Sequence, residues 1–354
     1  MLAIIDQIIT QAIEQRIFPG AVVLIAQHGA VCHNVAYGST MYSDAGSQTV
    51  TLDTIYDIAS LTKVFTATAA LRLLDAKQIA LDEAAARYLT ELRAHTVTLR
   101  HLFTHTSGLG LQLSALREHG AHGIRPIVYA AEPVRPPGRY VAYTNSNSLL
   151  LGDVVAQVYG KPLDIAIDEL VLQPLGMSET GFCPPAALHS RIAPTEWDEE
   201  WRGRLVQGSV HDESAYALGG VAGHAGLFST VADVLRFAQC WLDVGVFARR
   251  RLLAAETVEL ALRDHTGDLE PLVAGQFFRC GLGWMLDRPG FMGNAPRGAY
   301  GHTGFTGPVM VLIPQRRLAV IILSNRTYPR RTPPPYPHHT VTAEVVRAVL
   351  SGNP

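Results

Sequence analysis

Lysine is nearly absent from this chain. Of its 29 lysine and arginine residues only Lys63, Lys77 and Lys161 are lysines. Cysteine is scarce as well, and Cys32, Cys183, Cys240 and Cys280 lie far apart with no C-x-x-C pair. That spacing argues against a disulfide framework or a zinc knuckle and fits reduced, partly buried thiols. Charged residues make up 17% and the formal net charge is −2, so the electrostatic footprint of a nucleic-acid or anionic-membrane binder is missing. The arginines of "FARRRL" form too short a run to change this and read as a solvated surface. No apolar stretch approaches the roughly 18 to 20 residues that span a bilayer. The opening "MLAIIDQIITQAIEQRIF" contains Asp6 and Glu14, without a basic leader or an unbroken apolar run, so a cytoplasmic protein is expected.

What is present is a large aliphatic content. At 48% hydrophobic the chain can bury a sizeable core, and its length suits about two domains. Apolar residues at 4, 5, 8, 9, 12, 13 and 17 recur with a helical period, which predicts an amphipathic N-terminal helix. "GAVVLIAQHGAVCHNVAYGS" reads as two strands joined at His28-Gly29. Residues 60–76 read as a helix apolar on nearly every side, which implies burial at a domain centre. From about 82 to 280 the patterns are mostly helical, broken by loops such as "EPVRPPGRYV" and "RIAPTEWDEEWRG". Strand signals return in "MVLIP" and "LAVIILSN" around the turn "PQRR". "TVTAEVVRAVL" closes the chain as a helix after the connector "RRTPPPYPHH". This order predicts one sheet domain built from both chain ends, 1–80 and 281–354, with a mainly helical domain, 81–280, inserted between them.

One of the three lysines has a telling position. In "DIASLTKVF" Ser60 precedes Lys63 by three residues, and no other serine of the chain has lysine at that spacing. Residues i and i+3 share a helix face. A serine at a helix start sits where free N–H groups and the helix dipole favour developing negative charge. A buried lysine can shed its proton, whereas arginine effectively cannot, so a base beside Ser60 has to be lysine. The plainer alternative makes Ser60 an N-cap and Lys63 a surface residue. Against it stands the apolar character of the helix.

Two further stretches bear on this choice. "YTNSNSLLLG" supplies Tyr143 and Asn145 just before an apolar helical segment, and "YGHTGFTGPVMVLIP" supplies His302, Thr303 and Gly304 at the entry to a late strand. A phenol can relay protons to and from a serine beside a cationic lysine. A glycine-rich strand lets backbone approach a substrate and present an N–H to an oxyanion. Ser60-x-x-Lys63, Tyr143-x-Asn145 and His302-Thr303-Gly304, in that order, resemble the three motifs of the serine β-lactamase and penicillin-binding-protein superfamily, in its class C-like branch with esterases. "LRHLFTHTSGL", "GGVAGHAGLFSTVADVLRF" and "ILSNR" are similar to that branch too.

The resemblance implies an α+β fold, with an antiparallel sheet flanked by terminal helices, a helical domain, and the site in the cleft between them. It implies Ser60 as the acylated nucleophile, Lys63 as its activating partner, and Tyr143 as general base and acid. Asn145 would contact the substrate amide or the lysine network, and His302 and Thr303 would line the opposite wall. The N–H groups of Ser60 and Phe305, the latter just after Gly304, would form the oxyanion hole. No cofactor and no metal is implied, and the substrate would be a small molecule or short peptide.

His302 stands where penicillin-recognising members carry lysine, so a fixed cation for a substrate carboxylate is lost. That weakens a β-lactamase and a D-Ala-D-Ala carboxypeptidase reading alike. The "VHDESAYALGGVAGHAGLFST" segment is most similar to members acting on cell-wall fragments, carboxypeptidases and muramyl-peptide amidases. The leading expectation is therefore a serine hydrolase acting through an acyl-Ser60 intermediate on peptidoglycan-derived peptides. Small-ester carboxylesterase, β-lactamase and a penicillin-binding sensor without turnover are the alternatives. A zinc hydrolase using His101 and His105 is a distant further option, since no Glu follows His101 to complete H-E-x-x-H. His224 reads as bracing a glycine-rich loop, His338-His339 as part of an exposed connector, and Ser107 as a turn residue outside any G-x-S-x-G frame. The scissile bond and the oligomeric state stay open.

Overall fold

The structure is a computed structural model describing residues 2–42, 45–271 and 279–352, with 270 and 271 described by backbone alone. Helix α1 (Leu2–Glu14) leads into strands β1 (Gly20–Gln27) and β2 (Ala30–Gly38). A short strand β3 (Tyr56–Asp57) precedes α2 (Thr62–Asp75). The middle of the chain contributes α3 (Asn145–Tyr159), α4 (Glu213–Ala217), β4 (Leu227–Ser229) and α5 (Val231–Leu242). The closing part holds β5 (Met285–Leu286), β6 (Tyr300–Thr303), β7 (Val309–Ile313), β8 (Leu318–Ser324) and α6 (Pro337–Ser351).

Both chain ends meet in one six-stranded sheet, ordered β5-β6-β7-β8-β1-β2 and antiparallel throughout. Its central strands are buried along their length because both faces are covered. Val23, Ile25, Val311 and Val320 point to one face, where α1 and α6 lie, and Leu24, Leu312 and Ile321 point to the other. Each such side chain contributes about 1.5–3 kcal/mol on burial. With both faces apolar, polarity cannot select the register of β1 against β2. The two-residue turn, where His28 and Gly29 have φ of +52° and +82° as in a type I′ hairpin, sets the pairs Gln27–Ala30 and Ala26–Val31, and a bulge between Ile25 and Ala26 shifts the remaining pairs by one residue.

The amphipathic reading of α1 holds, with Ile5, Ile9 and Ala12 buried, while Ile4 remains 52% exposed on the outer face. Two local readings need correction. "RIAPTEWDEEWRG" is not only a loop, because Glu196–Asp198 pairs antiparallel with Arg204–Val206; strands of three residues are too short to show alternation. His338 and His339 are not in an exposed connector. Proline at the first helical position starts α6 at Pro337, so both histidines fall in its first turn, His338 buried and His339 partly so. Among the described residues no helix is long and apolar enough to cross a membrane.

The sheet edge reaches the Ser60 turn through close backbone contact. A Cβ on Gly304 would come within 2.6 Å of the Ile58 carbonyl, so only glycine lets the end of β6 lie there. Two residues on, the buried Thr306 hydroxyl donates to the Asp57 carbonyl at 2.7 Å. Thr306→Val should destabilise the protein by roughly 1–2 kcal/mol, since it leaves that carbonyl without its partner. Thr306→Ser, which keeps the hydroxyl, should lose clearly less in denaturant unfolding; equal losses would mean that the methyl, not the hydrogen bond, matters.

Candidate active site

The Ser60 turn is strained and braced. Ala59 has φ +46°, a region costly for a residue with a side chain. Two hydrogen bonds hold the turn in place: the Asp57 carboxylate accepts the Ala59 N–H at 2.8 Å and the His211 N–H at 2.6 Å. Asp57 is buried, and desolvation lifts its pKa to about 6 against the pull of those two N–H groups. Ser60 itself lies in the 3₁₀ turn Ala59–Leu61, which runs directly into α2.

One turn on, Lys63 is only 3% exposed, inside a helix whose other residues are nearly all buried. Its Nζ donates to Ser60 Oγ at 2.7 Å and to the His224 carbonyl at 3.1 Å. Desolvation lowers the Lys63 pKa to about 7, opposed by the charge of Asp212. The fold thus disfavours the ammonium by several kcal/mol relative to water. His224 can reach this position because the loop before it packs on α3, where a Cβ on Gly223 would meet the Ser148 carbonyl at 2.1 Å.

Tyr143 stands over the lysine, with Nζ 4.9 Å from the ring centroid. The residue keeps 44% of its surface exposed to the cleft. Desolvation still holds its phenol well above the ordinary range, and its hydrogen bond to Ser60 pulls the other way. His105 and His302 pack on this ring, at centroid distances of 4.6 and 6.1 Å. Both are buried, and desolvation followed by the charge of Lys63 depresses each pKa to about 3. The His302 Nδ1–H donates to the Thr303 carbonyl at 2.9 Å, and with its pKa so lowered the ring is neutral near pH 7, which leaves Nε2 as an acceptor.

Among the described residues Lys63 Nζ bonds Ser60 and the His224 carbonyl, and no hydrogen bond joins it to Asn145. The Asn145 amide donates to Asp212 Oδ2 at 3.2 Å. Asp212 Oδ1 accepts from Ser214 Oγ (2.6 Å), the Ala215 N–H (2.9 Å) and His224 Nε2 (3.1 Å). Burial pushes its carboxyl up, but His224 and these donors outweigh burial and hold it far below the carboxylate range. Asp212 therefore supplies the fixed negative charge that Lys63 feels. Among the described residues, neither the Ser60 nor the Phe305 N–H donates to an acceptor outside its own turn.

A cavity of about 570 Å³ opens beside Tyr143, His302 and Thr303. Phe103, Val141, Trp284 and Phe291 give it apolar walls, and Arg288 brings a guanidinium. His339, whose pKa desolvation lowers to about 4, adds no charge at neutral pH.

The structure brings together every residue singled out in the three motifs. His101 and His105 take separate local tasks: His101 Nδ1 accepts the Thr98 N–H at 3.2 Å, and His105 Nδ1 faces the Thr144 N–H and the Asn147 amide. Ser107 is buried and donates to Asn147. His224 braces its loop as its setting implied. Asp57, Asp212 and the stacking role of His105 escaped the sequence reading. Asp212 carried one usable signal, an aspartate placed to cap α4 just ahead of Glu213-Ser214-Ala215.

Over residues 5–341 the chain matches the family model described as Beta-lactamase. A protein of Escherichia coli O157:H7, provisionally named a D-alanyl-D-alanine carboxypeptidase, is 29% identical over 91% of this chain and 82% of its own. The N-acetylmuramyl-L-alanine amidase of Bacillus subtilis (strain 168) is 28% identical over 92% of this chain and 80% of its own. Esterase EstB of Burkholderia gladioli is 29% identical over 93% of this chain and 91% of its own. In fold, the chain is similar to a penicillin-binding protein homologue from Caulobacter crescentus, with TM-score 0.78 and 20% identity over 98% of this chain and 96% of that one. The chain belongs to the Beta-lactamase family and is a serine hydrolase with that family's α+β fold.

Proposed function

We propose that the enzyme hydrolyses peptidoglycan-derived peptides through an acyl-Ser60 intermediate. The observation that carries this is the contact of Ser60 with the buried Lys63 at 2.7 Å, with Lys63 poised near neutrality. Neutral Lys63 takes the Ser60 proton as Oγ attacks the carbonyl, and the Ser60 and Phe305 N–H groups receive the oxyanion. Tyr143, protonated at rest, gives its proton to the leaving amine and recovers one from Lys63. Water then attacks the acyl carbonyl, passes its proton back by the same route, and Ser60 leaves. The resemblance makes Tyr143 both base and acid; its raised pKa favours the acid role at rest.

In this reading residues 1–80 with 281–354 form one wall of the cleft and 81–280 the other. His302 carries no charge, and Arg288 takes over recognition of a substrate carboxylate from the adjoining cavity wall. This supports cleavage next to a terminal carboxylate, as in the carboxypeptidase-named relative. A second reading is a carboxylesterase, favoured by the apolar cavity walls and by likeness to EstB over nearly its whole length.

Mass spectrometry of a muramyl-pentapeptide incubated with the enzyme should show loss of the terminal D-Ala, and Ser60→Ala should abolish it by more than about a thousandfold. An untouched peptide together with rapid p-nitrophenyl ester cleavage would establish the esterase instead. Arg288→Met should lower kcat/KM about thirtyfold or more for a substrate with a free terminal carboxylate. It should leave the amidated analogue little changed; equal losses on both would remove Arg288 from recognition.

The pH dependence follows from Lys63. With the folded pKa near 7 and the unfolded value near 10.5, the unfolded chain binds the extra proton between those limits, so this group makes stability rise with pH across that window. Lys63→Met should therefore gain most over wild type below pH 7, with the gain shrinking toward pH 10. A gain independent of pH would show that Lys63 titrates alike folded and unfolded. In wild type, kcat/KM should rise with pH up to about 7 and then level.

A further inference from the structure

The loop after β6 that carries the Phe305 N–H is held from behind by one side chain. Arg326, two residues beyond β8, is 5% exposed. Its Nε–H donates to the Phe305 carbonyl at 2.8 Å. Its guanidinium carbon lies 4.6 Å from the Phe305 ring centroid and 4.6 Å from that of Tyr336. Those two rings stand nearly perpendicular at 6.0 Å, so the guanidinium fills the corner between them. The His211 ring closes the cage from a further side, 5.6 Å from Phe305, and the backbone N–H of His211 is one of the two that Asp57 holds.

A buried guanidinium is costly, and ion pairing is its usual compensation. Here that compensation goes to its neighbours. Arg330 pairs with Glu199, and Arg331 with Glu196 and Glu213, while among the described residues Arg326 forms no ion pair. Its contacts run instead to the Phe305 carbonyl and ring, to Tyr336 at the start of α6, and to Thr332 Oγ1 at 3.4 Å. A planar donor that hydrogen-bonds a carbonyl while packing on the ring of the same residue fixes that residue's backbone and side chain together. Lysine has no such geometry.

We infer that Arg326 is a positioning residue for the oxyanion hole: it clamps Phe305 from behind, so that the Phe305 N–H stays aimed at the carbonyl oxygen of the bound acyl group. This rests on the acyl-serine reading above and goes beyond it. Residues 327–336 and the start of α6 thereby become part of the catalytic support through Tyr336. Donor placement matters because a preorganised N–H stabilises charge only where the oxyanion forms.

The test compares wild type with Arg326→Lys and Arg326→Met in three measurements: steady-state turnover, thermal unfolding, and affinity for an alkyl boronic acid. The boronic acid accepts Ser60 Oγ at boron as the serine proton passes to Lys63, and its adduct places a hydroxyl where the oxyanion would lie. Both variants should lose about ten- to a hundredfold in kcat with KM within about threefold. Boronate affinity should fall by the same factor as kcat/KM, with unfolding temperature nearly unchanged. Boronate affinity and kcat within about threefold of wild type would overturn the inference. So would a loss of kcat that only tracks the folded fraction, or one that leaves boronate affinity intact. If Arg326→Met fails to fold, the lysine variant decides alone. Wild type that neither turns over nor binds the boronate would overturn the acyl-serine reading itself, and this inference with it.

Discussion

The contact on which the site depends is that between Ser60 Oγ and a lysine almost without access to water. An ammonium in such surroundings is disfavoured unless a carboxylate lies against it. The fold places one nearby but not in contact: Asp212 is felt by Lys63 as a charge, while its oxygens are taken by Asn145, Ser214, Ala215 and His224. Direct pairing would return the lysine to its ordinary, protonated state. Complete isolation would keep it neutral and unable to cycle a proton. The intermediate arrangement leaves it near pH 7, where it can do both.

The surroundings serve that balance. Asp57 ties the strained Ser60 turn to the His211–Asp212 segment, and its main chain is tied in turn to Thr306 at the sheet edge. Nucleophile, charge source and proposed oxyanion donor are thus fixed to one another by short polar contacts rather than by apolar packing, which tolerates sliding. His105 and His302 add neutral rings against Tyr143. Charged, they would repel Lys63 and depress its pKa further, so their own low pKa values preserve the lysine's function.

How much of this was legible in the sequence depended on separation along the chain. Ser60 and Lys63 could be paired because three residues on a helix place them on one face. The hairpins showed because β-branched runs flank a turn that needs positive φ. Asp57 could not be found that way, since its partner at His211 lies 154 residues away; Asp212 showed only as a cap of α4, which says nothing of the charge it presents to Lys63. His105 was weighed only as a metal ligand paired with His101, because helical spacing says nothing about a ring stacking on Tyr143. The start of α6 was misplaced for a different reason: proline-rich sequence reads as connector, yet proline at the first helical position begins the helix that buries His338.

The scarcity of lysine supplies the most direct test. Enzyme labelled with ¹³C at lysine Cε has only three signals to follow, from Lys63, Lys77 and Lys161. In an NMR titration one of them should move with a midpoint near pH 7 and vanish in Lys63→Met. If the signal that Lys63→Met removes moves only near 10.5, Lys63 is an ordinary cation at neutral pH and the proposed proton transfer from Ser60 has no acceptor.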